Sequence, residues 1–269
     1  MSTMIALFLV LSTLAGCASE TLMNVKNALP PPPEPPAVEY TVELETCEDT
    51  VRDGDGSILA SYSYEAPVLT AVNGDDAAQE VCEAFNEPFL AWSENTQALA
   101  DSAQENRAFS QENGLDFFPY SDELRCTVYR TERLISVAGI YQTYTGGAHP
   151  NTVLLSWNFD LESGAFFDPA TLDEETGFHN AVVQALQTQA REHARENNMA
   201  PRDYFWEDYE DTLENWNSYA VSFDAEGMTV GFSPYELACY AAGPQVFRIP
   251  YEDLEGRLGS QGRALLGLE

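Results

Sequence analysis

The chain has 269 residues, of which 44% are hydrophobic, enough for one sizeable domain or two small packed halves. It carries 44 acidic against 12 basic residues, a formal charge of −32. That charge excludes nucleic acid and anionic lipid surfaces as partners and favours cationic ones, unless it serves only to keep the protein soluble.

An apolar stretch near the start of the chain precedes a cysteine. Residues 4–14 are mostly apolar, and the small pair Ala15-Gly16 stands directly before Cys17. This pattern is typical of a lipoprotein signal, so we expect residues 1–16 to be removed and Cys17 to be lipidated. The run is shorter than the roughly 20 residues of a membrane-spanning helix. The first nine residues lack the Lys or Arg of a signal, so either the signal is weak or the start codon lies elsewhere.

Residues 17–37 are predicted to be a linker. Prolines at positions 30–33, 35 and 36 favour an extended polyproline segment, which would hold the folded part away from the membrane. We therefore expect an envelope protein that is anchored by lipid and faces the periplasm or sits on the outer membrane.

Alternation of apolar and polar residues predicts strands along much of the remaining chain. The segment Leu124–Tyr144 fits either two strands or one long bent strand. The other predicted strands are Tyr40–Leu44, Ile58–Tyr64, Val153–Leu161, Val221–Phe223, Met228–Phe232 and Val246–Tyr251. Asp53-Gly54-Asp55-Gly56 is interpreted as a hairpin turn, because the glutamate of a calcium loop is replaced by Tyr64 at loop position 12.

Apolar residues at helical spacing predict two long helices. One follows Asp76, with Val81, Phe85 and Phe89 on a stripe that extends to Trp92 and a kink expected at Pro88. The other runs from Thr176 to about Asn197, and a short helix is expected within Tyr204–Trp216.

The order of these elements predicts an α+β fold with mostly antiparallel sheets, two long helices packed on them, and two associated subdomains. We place the subdomains at residues 38–133 and 134–258, followed by a tail at 259–269.

The cysteines and histidines do not suggest a metal site. No two cysteines have CxxC spacing, and the histidines His149, His179 and His193 are scattered, so no metal or cofactor is expected. With Cys17 assigned to lipid, four of the five cysteines remain. An even number of cysteines outside the cytoplasm suggests two disulfides, with three possible pairings. The candidates are Cys47, Cys82, Cys126 and Cys239.

One loop stands out as a candidate site. Gly146 and Gly147 permit positive φ between two strands, and Tyr141, Tyr144 and His149 flank them. The segment is either a binding loop with aromatic faces or a wide hairpin turn.

Two motifs in order resemble the RsiV-like family. The first is Tyr-Thr-Gly-Gly-Ala-His-Pro-Asn at 144–151, followed by residues 156–164 and 168–172. The second is Phe-Ser-Pro-Tyr-Glu-Leu-Ala-Cys-Tyr-Ala-Ala-Gly-Pro at 232–244, followed by residues 246–251. This family includes the lysozyme-sensing ectodomain of the anti-sigma factor RsiV and the non-catalytic N-terminal region of the deacetylase PdaC. The resemblance covers about residues 38–258 and implies an α+β fold.

The resemblance implies binding rather than catalysis. It predicts an envelope-tethered module for a cationic lysozyme-like protein or for peptidoglycan, without the anti-sigma segment of RsiV or the deacetylase domain of PdaC. The expected ligand-binding residues are Tyr141, Tyr144, Gly146, Gly147, His149, Tyr235, Tyr240 and Gly243. The alternatives are a structural or assembly lipoprotein and a glycan-modifying hydrolase. Neither Gly-x-Ser-x-Gly nor His-Glu-x-x-His occurs and carboxylates are too numerous to single out a pair, so no catalytic residue is assigned.

Overall fold

A computed structural model describes residues 38–90, 96–172, 177–216 and 219–268 of the chain. These described residues form one compact unit. Cys17 and the proline-rich linker lie outside the described residues, as do Trp92 and Thr176. Within the described ranges no helix has the length and apolar character needed to cross a membrane.

The described residues form a six-stranded sheet and a three-stranded sheet, with helices on both. The strands are β1 (Glu39–Arg52), β2 (Ile58–Val72), β3 (Tyr120–Arg130), β4 (Leu134–Tyr144), β5 (Asn151–Asp160), β6 (Ala165–Phe166), β7 (Ala220–Phe223), β8 (Gly227–Phe232) and β9 (Gln245–Pro250). The α-helices are α1 (Asp76–Leu90), α2 (Thr96–Asn113), α3 (Phe178–Glu196), α4 (Pro201–Tyr204), α5 (Tyr209–Leu213), α6 (Tyr251–Leu254) and α7 (Ser260–Leu266). The predicted α+β class is confirmed.

The six-stranded sheet runs β1 to β6 in sequence order. Its pairs are antiparallel except β2 with β3, which run parallel. A parallel pair needs a long crossover, and α1 and α2 supply it. The segment Leu124–Tyr144 therefore forms two strands, β3 and β4, which pair as a hairpin.

Helix α2 was not predicted from the sequence. Its buried residues are the alanines Ala100 and Ala103 and the polar residues Arg107 and Ser110. Alanines give little hydrophobic periodicity, so the apolar stripe that identifies a helix is weak here. In α1, by contrast, Phe85 and Phe89 are buried as the spacing predicted, and Pro88 lies inside the helix.

The tip of the β1–β2 hairpin is held by its own carboxylates. The Gly54 amide donates to Asp53 Oδ1 at 2.6 Å, and the Ser57 amide donates to Asp55 Oδ1 at 2.9 Å. Buried Arg107 of α2 lies 3.4 Å from Asp53 and 2.5 Å from Asp55. The predicted hairpin is confirmed, and both carboxylates of its tip pair with an arginine.

A seam of buried polar side chains joins the two sheets. The free edge of β7 docks on the face of the six-stranded sheet: the Val221 amide donates to Ser156 Oγ at 2.9 Å and the Phe223 amide donates to Ser136 Oγ at 2.8 Å. Asn158 Nδ2 donates to the Val221 carbonyl at 2.8 Å, and Ser136 Oγ donates to Asn158 Oδ1 at 2.8 Å. Side chains thus satisfy backbone groups that an edge strand otherwise leaves unpaired.

Two hydrophobic cores lie on either side of this seam. The first packs α1 and α2 on the six-stranded sheet and extends from Leu59 to Leu161. The second packs α3 on the three-stranded sheet and extends from Leu172 to Leu266, with Leu134 added from β4. The strand β4, which follows the predicted boundary at residues 133 and 134, pairs with β3, and β5 pairs with β4. The expected tail contributes Leu265 and Leu266 of α7 to the second core.

The four cysteines within the described residues are free thiols, which corrects the prediction of two disulfides. Cys82 of α1 and Cys126 of β3 are buried in the first core without bonding. Cys47 on the edge strand β1 and Cys239 in the loop before β9 are exposed. The four lie on separate elements, and the spacing along the chain could not reveal this.

Native-state thiol labelling is expected to divide these cysteines into two classes. In a Cys17→Ser chain at pH 8, Cys47 and Cys239 should react rapidly with an aromatic disulfide reagent. Cys82 and Cys126 should react only on unfolding, because burial blocks access and raises the pKa of Cys82 and that of Cys126, the latter to about 12, so both stay protonated. Failure to find four reactive thiols in non-reducing denaturant would contradict the free-thiol assignment.

Candidate functional site

Four aromatic side chains from three parts of the chain meet at the surface, and we call them the aromatic platform: His149, Trp206, Tyr235 and Tyr240. The rings of His149 and Tyr240 stack with centroids 3.5 Å apart and planes 16° apart. The Tyr235 ring lies 5.7 Å from that of Tyr240 and 6.5 Å from that of His149. The fold thus brings together three predicted site residues, although His149 precedes Tyr235 and Tyr240 by 86 or more positions in the sequence.

Backbone contacts fix Tyr240 in the platform. Its hydroxyl donates to the Pro150 carbonyl at 3.1 Å, which ties the loop before β9 to the β4–β5 loop. The Gly243 amide donates to the Tyr240 carbonyl at 2.9 Å, and Gly243 has φ +71°. The predicted site residue Gly243 therefore acts by closing the turn beneath Tyr240, a conformation that favours glycine.

Tyr235 is held in an unusual conformation. Its φ is +74°, which is rare for a residue other than glycine, and its amide donates to the Ala238 carbonyl at 3.1 Å. Trp206 Nε1 donates to the Tyr235 carbonyl at 2.9 Å. Tyr235 is nevertheless 55% exposed and Trp206 41% exposed. Exposed rings on a strained, hydrogen-bonded backbone are characteristic of functional sites.

Trp206 was missed as a site residue. The sequence predicted only a short helix within Tyr204–Trp216, and no hydrophobic periodicity distinguishes Trp206 from a core residue. Its position depends on an antiparallel bridge between Phe205 and Ala238, more than 30 residues later in the chain. A bridge of that range has no local sequence signal.

The other predicted site residues lie away from the platform. Tyr144 ends β4 opposite Ser121 and makes no ring contact with the platform. Gly146, with φ +85°, lies against α2 and β3, where an added Cβ would be 3.6 Å from the Tyr120 ring. Gly147 is exposed in the same loop.

Tyr141 belongs to a separate buried network. Tyr64 donates to Asp122 Oδ2 at 3.0 Å, and Asp122 is buried. Burial, then the hydrogen bond and charge of Asp122, raise the pKa of Tyr141 to about 12. Tyr141 therefore lies beside Asp122 in the first core, apart from the platform.

The platform lies in an acidic part of the surface. Its exposed neighbours Glu207, Asp208 and Glu236 are all acidic. The His149 Nδ1 atom lies 3.0 Å from the Pro150 carbonyl oxygen. Among the described side chains no group of three His, Cys, Asp or Glu is placed to hold a metal ion. The platform therefore exposes aromatic rings next to acidic side chains.

Two family models match the chain one after the other. Residues 56–152 match the model described as deacetylase PdaC, and residues 166–252 match a protein of unknown function, DUF3298. Two solved structures of DUF3298 family proteins are similar to the chain. One, from Bacteroides fragilis, is 16% identical with a TM-score of 0.61, covering 87% of this chain and 98% of its own. The other, from Pseudomonas aeruginosa, is 15% identical with a TM-score of 0.51, covering 82% and 95%.

The fold is that of DUF3298 proteins. Together with the two family models, it supports an RsiV-like, DUF3298-type relationship, as the sequence motifs suggested. No curated protein matches the chain. The PdaC-type segment contains His149, and the DUF3298 segment contains Trp206, Tyr235 and Tyr240. The aromatic platform thus forms where the two segments meet.

Proposed function

We propose that this DUF3298-type protein is a non-catalytic binding module, tethered to the cell envelope through Cys17, and that its partner is a cationic, lysozyme-like protein. The observation that carries the proposal is the aromatic platform, an exposed set of rings drawn from both family segments. Tyrosine and tryptophan are enriched among the residues that dominate protein interfaces.

Charge favours a basic partner. The acidic neighbours of the platform and the formal charge of −32 attract cations and repel other acidic molecules. Such long-range attraction speeds association and weakens as salt is added. An RsiV-like relationship is in line with this choice, since lysozyme is the partner of the RsiV ectodomain.

Cell-wall glycan is the second candidate. The open faces of Tyr235 and Trp206 suit the C–H face of a sugar ring as well as a protein side chain. Glycan stacking depends little on charge, so its response to salt distinguishes the two candidates.

Binding to a purified c-type lysozyme, a basic protein, tests the proposal. Affinity should fall steeply from about 0.01 M to about 1 M salt, because the Debye length shrinks from about 30 Å to about 3 Å. Tyr240→Ala should weaken binding by at least about tenfold, as expected for a central interface tyrosine. The control Val72→Ala removes an exposed side chain at the end of β2 and should bind like the wild type.

Two outcomes would redirect this proposal. Salt-insensitive sedimentation with insoluble peptidoglycan, lost in Tyr240→Ala and unaccompanied by lysozyme binding, would select the glycan candidate. Turnover of peptidoglycan by the purified chain would contradict a non-catalytic role.

A further inference from the structure

A groove lies between the C-terminal end of α2 and the β4–β5 loop, outside the aromatic platform. Its volume is about 550 Å³. Phe109 and Leu115, which are 60% and 58% exposed, line it together with Gly146. Phe118 is also exposed nearby along the chain. Large apolar side chains that remain this exposed in one place mark an interaction surface.

The end of helix α2 places the two apolar walls side by side. The helix ends at Asn113, and Gly114 takes φ +66°. The Leu115 amide then donates to the Ser110 carbonyl at 2.9 Å. This 6→1 hydrogen bond of a Schellman motif turns the chain back on the helix and brings Leu115 near the helical turn that carries Phe109.

The floor of the groove is polar but already hydrogen-bonded. Ser110 Oγ donates to Asn106 Oδ1 at 3.1 Å, and Asn106 Nδ2 donates to the Tyr120 hydroxyl at 2.6 Å. These hydrogen bonds hold α2 on β3. The apolar walls are therefore the part of the groove whose burial by a partner would contribute most to the binding free energy.

The charges around the groove all have one sign. In residues 96–118 the only cation is Arg107, which is buried and paired with Asp53 and Asp55. The exposed charges of this segment are Asp101, Glu105, Glu112 and Asp116. An occupant must therefore combine an apolar side chain with positive charge beside it.

We infer that this groove is a second contact surface for the same cationic protein, which inserts an apolar side chain flanked by lysine or arginine. The inference rests on the proposed function. The β4–β5 loop connects the two surfaces, because Gly146 lies at the groove while His149, three residues later, stacks on Tyr240. One partner docked on this loop would reach both.

The test measures lysozyme binding by the full chain and three variants. Phe109→Ser with Leu115→Ser should weaken affinity by at least about tenfold while leaving the salt dependence unchanged, because no charge is altered. Glu105→Gln with Asp116→Asn should instead reduce the salt dependence. Met199→Ser, an exposed site after α3, is the control and should bind like the wild type. Thermal melts should match in all four proteins, since the replaced side chains are exposed.

The outcomes separate this inference from the proposed function. If Tyr240→Ala abolishes lysozyme binding and the groove variants bind like the wild type, the second surface is refuted and the proposed function stands. If the wild type does not bind lysozyme, both are refuted. A dimer of the chain that dissociates on Phe109→Ser with Leu115→Ser would assign the groove to a second copy and also overturn the inference.

Discussion

Replacing Gly227 by alanine is expected to lower the free energy of unfolding by about 3 kcal/mol, the upper range for forcing extra atoms into a packed site. An added Cβ would lie 2.2 Å from the Ile249 carbonyl oxygen and 3.0 Å from Pro250 Cα. Both are backbone atoms of β9, which pairs with β8 at this position. The clash therefore cannot be relieved by a side-chain rotation and must separate two strands of the second core.

Urea denaturation followed by tryptophan fluorescence measures this effect. Gly54→Ala is the matched control, because an added Cβ at that position meets nothing within 4 Å. Its free energy of unfolding should stay within about 0.5 kcal/mol of the wild type. A wild-type midpoint for Gly227→Ala would show that β8 and β9 do not approach as closely as described.

Replacing Asn158 by alanine is expected to destabilise the protein by about 2–4 kcal/mol. The side chain is 3% exposed, donates to the Val221 carbonyl and accepts from Ser136. Its removal leaves the Val221 carbonyl without this donor and the Ser136 hydroxyl without this acceptor, although Ser136 still accepts from the Phe223 amide. The loss combines broken hydrogen bonds with the desolvation of what remains. Asn151→Ala, at the exposed start of β5, should have little effect.

A double-mutant cycle with Ser136 sharpens this second prediction. Ser136 is 1% exposed and bonds both Asn158 and the Phe223 amide. Ser136→Ala with Asn158→Ala should destabilise by less than the sum of the single changes, since each single change already breaks their shared bond. Strict additivity, measured by urea denaturation, would show that the two side chains act independently.

The seam also explains how the aromatic platform is assembled. His149 is carried by the β4–β5 loop of the six-stranded sheet, whereas Tyr235 and Tyr240 follow β8 of the three-stranded sheet. Their rings meet because β7 docks on β4 and β5 through Ser136, Ser156 and Asn158. Binding by the platform therefore depends on the relative position of the sheets, which the buried hydrogen bonds fix.

The sequence predicted the parts of the fold whose signals are local. Alternating residues identified the strands, and apolar residues at helical spacing, such as Phe85 and Phe89 of α1, identified α1 and α3. In each element the apolar residues recur with the period of that element. Two glycine- and tyrosine-containing motifs also identified the loops that supply His149, Tyr235 and Tyr240.

Only the tertiary structure decided features that depend on distant neighbours. It paired β2 with β3 in parallel, left Cys82 and Cys126 as buried thiols, and moved Tyr141 into a network with Asp122. The physical reason is the same in each case, because the contact is made between elements separated along the chain. The sequence by itself thus determined most of the strands, the helices α1 and α3, the acidity and the loops of the candidate site, but not the helix α2. The packing of two sheets across a polar seam decided which of those residues form one surface.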